Sequence, residues 1–303
     1  MTLLNAVCGF TAIIFAARGM NDPDRFLLVR PELTFFAASA IMIFLGMVAD
    51  MLDGFLARMA RSTSSFGGHL DSMSDMLTFG AAPAFLMLLV VENSIQEIGP
   101  ASPVFAALPG KMLWFIAVLY ACCAALRLAR FNVENEPDIE AHMGFKGLPS
   151  PAAAGVIASL VLLCSDYLRD EKADPKWVAD SLGLAESVRN FAETSSMVII
   201  YALPFITLCV AFLMVSRITY SHAVNKLIRG QRPFMQLVWI LILVLMLIWQ
   251  FQVTTAIAFF GFAFSGVIRW AWLKYLPNKA ENPDQPPASD LATDHLQTGD
   301  FNA

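Results

Sequence analysis

Apolar runs of membrane-crossing length follow one another almost from the first residue to residue 272, and about 20 mostly apolar residues are what a spanning helix requires. They fall near 2–18, 33–56, 69–91, 112–131, 149–165, 197–216, 235–250 and 253–272. In hydrocarbon every backbone N–H and C=O must find its partner within the segment, so continuous runs of this kind are expected to be helices. The expectation is an all-α polytopic membrane protein with about eight transmembrane helices. The first and fifth runs are short. The seventh and eighth are nearly continuous, and read either as a tight hairpin around Gln250 and Gln252 or as one long or re-entrant element.

Composition agrees: of 303 residues 57% are hydrophobic and 15% charged, with a mean hydropathy of +0.60, which excludes a water-soluble domain of ordinary surface. The formal net charge of -5 is carried entirely by Glu281, Asp284, Asp290, Asp294 and Asp300, beyond the last lysine, Lys279. A neutral body with an acidic tail gives no reason to expect a nucleic-acid partner. Residues 1–277 are therefore expected to form one transmembrane domain, and 278–303, rich in Pro, Asp and Asn, a disordered tail. The five cysteines lie inside apolar runs without a C-x-x-C pair, so they read as small core residues rather than disulfides or zinc ligands. Arg18, the first positive charge, follows the first run rather than preceding it, which argues for a retained helix rather than a secretory leader.

If the N-terminus faces the cytoplasm, the loops on that side hold twelve of the 20 Lys and Arg residues, the asymmetry that cytoplasmic loops show. An even number of spans then returns the tail to the same side. The expected location is the cell (inner) membrane.

Residues 50–75 do not fit a purely structural reading. Asp50 and Asp53, spaced i, i+3 at the end of one apolar run, share a helix face, and Asp71 and Asp75, spaced i, i+4 at the start of the next, share another. A short polar turn, Arg61 to Gly67, lies between the pairs, so two antiparallel helices would bring all four carboxylates together. Any one of them reads equally well as a cap or an interfacial charge; four at these spacings, with Gly54, Ala57 and Arg58 between, do not. Clustered carboxylates at the edge of hydrocarbon require compensating cations. Oxygen-only ligands without His or Cys suit Mg²⁺ or Mn²⁺, which commonly bind through a few carboxylates and substrate phosphates. Two such ions could activate a phosphoryl group. His69, His142, His222 and His295 are too scattered to form a histidine-based site.

The pattern D-x2-D-G-x2-A-R-x8-G-x3-D-x3-D, matched here at every fixed position, resembles the signature of the CDP-alcohol phosphotransferases. The resemblance implies that Asp50, Asp53, Asp71 and Asp75 hold metal and that Asp75 also takes the acceptor's proton. It further implies that Gly54, Ala57, Arg58, Ser64 and Gly67 surround CDP-diacylglycerol, with Gly54 letting the nucleotide approach the backbone and Arg58 holding a phosphate.

Three further segments resemble the branch of that family whose acceptor is L-serine: Thr2 to Gly9, Arg127 to Glu134, and Phe145 to Pro151 with the alanines after it. Arg127, Arg130 and Lys146 could bind the serine carboxylate or a phosphate, and read equally well as positive-inside anchors snorkelling to headgroups. Gly147, Leu148 and Pro149 are equally consistent with a simple helix start. The resemblance puts Thr2 and Asn5 on the cytidine side. It also implies a few residues before Thr2, often basic and containing Pro-Asn, so the N-terminus is expected to be cut short or its start misassigned. A homodimer is expected on the same ground. Two alternatives remain open at this point: the same chemistry with glycerol 3-phosphate or inositol as acceptor, and a divalent-cation transporter, since intramembrane carboxylates also mark ion paths.

Overall fold

A computed structural model describes residues 2–21, 34–60, 65–98, 110–134, 147–167, 185–216, 218, 246–247 and 250–275. All regular structure among them is helical: α1 (Thr2–Asn21), α2 (Phe35–Ala60), α3 (Ser65–Asp75), a π-helical turn (Met76–Ala81), α4 (Ala82–Ile98), α5 (Gly110–Glu134), α6 (Ser150–Tyr167), α7 (Ala185–Val215) and α8 (Phe251–Tyr275). Six stretches of the described residues are long and apolar enough to cross a membrane: Thr2–Asn21, Phe35–Leu56, Phe66–Ile95, Gly110–Val133, Met197–Val215 and Phe251–Arg269. Ser150–Cys164 is a shorter apolar helix. The chain is a multi-pass membrane protein. The run expected at 235–250 lies almost wholly outside the described residues, as does the tail expected at 278–303. The described residues up to Val267 pack as one compact unit.

Small residues let the helices approach closely, the usual device where lipid leaves no hydrophobic drive between helices. α1 packs along α2, with Ala12, Ala16, Ala37 and Ala40 all buried in the same core cluster, and Ser39 donates a hydrogen bond to the Ala12 carbonyl at 2.8 Å. α1 also packs against α3, the π turn and α4. It therefore wedges between the two elements that carry the aspartates. α6 is apolar on every side and buried from Ala152 through Leu162, as expected of a helix with no polar face. It contacts α2, α4 and α7, so this short apolar helix is an internal post.

The start of α6 is fixed by its flanking residues. The Pro149 carbonyl accepts the first helical hydrogen bond, from Ala153 N–H at 3.0 Å, and Pro151 sits in the first turn, where a missing N–H costs nothing. Before it, Gly147 N–H bonds the Ile218 carbonyl at 2.9 Å and Leu148 N–H the Leu213 carbonyl at 3.1 Å, tying the entry of α6 to the end of α7.

Two sequence expectations change. Gly67, expected in the polar turn that starts at Arg61, lies instead in the first turn of α3, which begins at Ser65, and residues 61–64 lie outside the described residues. Cys8, Cys123 and Cys164 are buried as expected, whereas Cys122 and Cys209 are exposed. A thiol is apolar enough to face lipid, so an apolar run does not distinguish core from bilayer surface.

Candidate active site

Asp50 and Asp53 lie in the last three turns of α2, and Asp71 and Asp75 in α3. All four are half-buried. Asp50, Asp71 and Asp75 converge, each offering one carboxylate oxygen, with the three oxygens within 4.8 Å of one another. Asp53 stands outside this trio and accepts a hydrogen bond from the Thr2 hydroxyl. The i, i+3 spacing put Asp50 and Asp53 on one face, but only the position of α1 separates their partners.

The trio fits a divalent cation by its chemistry and its size. Its donors are all carboxylate oxygens, and two oxygens bound to one Mg²⁺ lie at most about 4.2 Å apart, from bonds of roughly 2.1 Å. The observed spread therefore needs only a small contraction.

Immediately after Asp75 the helix widens into the π turn, where Ala82 N–H bonds the Leu77 carbonyl. One inserted residue rotates the helix before it by about 100° relative to the helix after it, and such turns recur at functional sites. Polar side chains hold this one in place. Thr78, fully buried, donates from its hydroxyl to the Asn5 carbonyl at 2.8 Å, and the buried Tyr120 hydroxyl donates to the Phe79 carbonyl at 3.0 Å. Gly9 and Gly46 make room: a Cβ on Gly9 would stand 2.8 Å from the Thr78 Cα, and one on Gly46 3.1 Å from Asn5 Oδ1.

Around the trio, Asn5 donates from Nδ2 to Asp75 Oδ1 at 3.0 Å. Arg127, half-buried in the last turns of α5, acts electrostatically on Asp75 and donates to the Ser150 hydroxyl at 2.6 Å. Ser72 and Asn132 exchange hydrogen bonds at 2.9 and 3.2 Å, joining α3 to the end of α5. Thus α1, α2, α3, α5 and α6 all send polar groups to one end of the bundle.

Of the other residues singled out in the sequence, Gly54 has nothing among the described residues beyond its own helix within 4 Å of where a Cβ would stand. Arg130 is half-buried one turn beyond Arg127, and His69 is exposed. Ala57 and Arg58 continue the α2 helix, although only their backbone is described, and Ser64 and Lys146 lie outside the described residues. Thr2 and Asn5, assigned by resemblance to the cytidine side, stand against the aspartates. Sequence reasoning missed Thr78 and Tyr120. Their signal was a hydrogen-bonding group inside an apolar run, which in hydrocarbon must find a partner.

A family model described as CDP-alcohol phosphatidyltransferase matches residues 1–188. A CDP-diacylglycerol–serine O-phosphatidyltransferase of Methanocaldococcus jannaschii is 35% identical over 127 residues, 42% of this chain and 52% of that protein. Proteins of the same name from Mycobacterium tuberculosis (33% over 166 residues, 54% of this chain and 48% of theirs) and Bacillus subtilis (32% over 130 residues, 43% and 62%) are also similar. The chain spans about half the length of the curated relatives it matches. With the family model covering well over half of its residues, the chain belongs to the CDP-alcohol phosphatidyltransferase family.

Proposed function

We propose that this protein transfers the phosphatidyl group of CDP-diacylglycerol to the hydroxyl of L-serine, giving phosphatidylserine and CMP. The observation that carries the reading is the convergence of Asp50, Asp71 and Asp75 beside a half-buried arginine, Arg127. The names of the relatives support serine as the acceptor. Mg²⁺ or Mn²⁺, as two ions, would be held by the trio and by Asp53, and would supply charge stabilisation to the diphosphate and the departing CMP.

The chain's own groups do the rest. Asp75 takes the serine hydroxyl proton as the oxygen attacks the lipid-attached phosphorus. The new bond joins serine oxygen to phosphorus, and the phosphorus–oxygen bond to CMP breaks. Arg58 holds the diphosphate beside Ala57, Ser64 and Gly67, and Arg127, with Arg130 and Lys146, receives the serine carboxylate or a phosphate. The lipid's acyl chains stay in the bilayer. The catalytic domain spans 1–277 with the polar tail beyond it, in the cell (inner) membrane, facing the cytoplasm, as a homodimer.

The test is an acceptor screen with purified protein and CDP-diacylglycerol. Phosphatidylserine should form with Mg²⁺ or Mn²⁺, cease with chelator and return when the ion is restored. Product with glycerol 3-phosphate or inositol but not serine would reassign the acceptor. Divalent-ion flux into vesicles without CDP-diacylglycerol, together with no lipid product, would make the protein a transporter.

Gly54→Ala separates ligand from fold. The new methyl meets nothing within 4 Å among the described residues beyond its own helix and alanine favours a helix interior by about 1 kcal/mol, so Tm should hold or rise. The KM for CDP-diacylglycerol should increase several-fold, because the methyl fills the space reserved for the nucleotide. An unchanged KM would remove Gly54 from the donor site.

A further inference from the structure

Asn5 is 0% exposed, yet its Oδ1 has no hydrogen-bond partner among the described residues. A buried acceptor left unsatisfied costs stability, so the residue is there for its other atom. That atom, Nδ2, donates to Asp75 Oδ1 at 3.0 Å. The amide cannot be reversed, because its oxygen would then face a carboxylate oxygen. Nor can the residue drift. Its own carbonyl accepts from the Thr78 hydroxyl at 2.8 Å, and Gly46 leaves only enough space for Oδ1, with a Cβ there 3.1 Å away. Thr78 stands three residues after Asp75, inside the π turn. Asn5 therefore grips the aspartate by its side chain and the turn that carries it by its backbone.

We propose that Asn5 is a positioning residue for Asp75: anchored by Thr78, its amide fixes the rotation of the Asp75 carboxylate so that it converges with Asp50 and Asp71. The idea rests on the metal-dependent reading above, but it concerns cation binding and not the identity of the acceptor. It also departs from a cytidine-contact role, since a side chain enclosed by α1, α2 and the π turn has no surface left for a nucleotide.

Asn5→Leu keeps the branched shape and deletes both polar atoms. Mn²⁺ titrated into the full-length protein in detergent, with the free ion followed by its paramagnetic resonance, should show affinity reduced by about 10- to 100-fold, the usual effect of losing a ligand-orienting contact. Tm in chelator should stay level or rise, because the unsatisfied oxygen is gone. The KM for CDP-diacylglycerol should not change while kcat falls. Unaltered Mn²⁺ affinity, or a KM for the donor that rises while Mn²⁺ binding is retained, would overturn the proposal. If Asn5→Leu does not fold, Asn5→Ala carries the same measurement, and unaltered Mn²⁺ affinity of its folded fraction overturns the proposal equally. Should the wild type form no lipid product while Asn5→Leu still loses Mn²⁺, the positioning role stands and the proposed reaction falls.

Discussion

Asp75→Asn is expected to lower the rate of phosphatidyl transfer by at least about 10³-fold, within the range of losing a general base, while the fold survives. The fold should survive because the change removes one of three crowded carboxylates and its new amide oxygen still accepts from Asn5. Without divalent ions the variant's Tm should equal or exceed that of the wild type, since like charges repel. Radiolabelled serine incorporation at saturating CDP-diacylglycerol measures the first effect and thermal unfolding in chelator the second. Retention of more than a tenth of the wild-type rate would remove Asp75 from the chemistry. A lost rate accompanied by a collapsed Tm would make its role structural.

The second large effect is on stability and comes from a residue far from the carboxylates in sequence. Gly147 has φ of 91°, a conformation that residues with a Cβ rarely adopt. A Cβ there would also press on the Met214 carbonyl and stand 3.1 Å from that of Ser216. Gly147→Ala should therefore cost about 1–3 kcal/mol in backbone strain and about as much again in overlap, which lowers Tm by several degrees or prevents folding. The damage should extend to the site. The hydrogen bonds of Gly147 and Leu148 set where α6 begins, and its first residue, Ser150, accepts the hydrogen bond from Arg127. Any surviving protein should show a raised KM for serine. An unchanged Tm would mean that the link between α6 and α7 is unimportant.

The family and the placing of the acidic pairs on helix faces were legible because both are written locally. Apolar runs of spanning length force helices once the surroundings are lipid. The i, i+3 and i, i+4 spacings put each carboxylate pair on one face whatever the rest of the chain does. The motif around Gly54 and Arg58 is a contiguous string and needed no tertiary knowledge.

What could not be read is what depends on which helices meet. Nothing in residues 1–21 marks α1 as the wedge between α2 and α3, or predicts that Thr2 would take Asp53 while Asn5 took Asp75. Both pairings join residues some 50 to 70 positions apart. The π turn was equally hidden, because its widened register is stabilised from outside, by Tyr120 on the Phe79 carbonyl and by Thr78 on α1. Cys122 and Cys209 show the same limit, since in a bilayer an apolar residue is equally at home facing lipid or facing core. Sequence alone determined that acidic pairs sit on helices at a membrane edge. Only the packing of α1 decided which three carboxylates share a centre, because in hydrocarbon the choice of neighbours rests on small residues and a few buried hydrogen bonds, not on polarity.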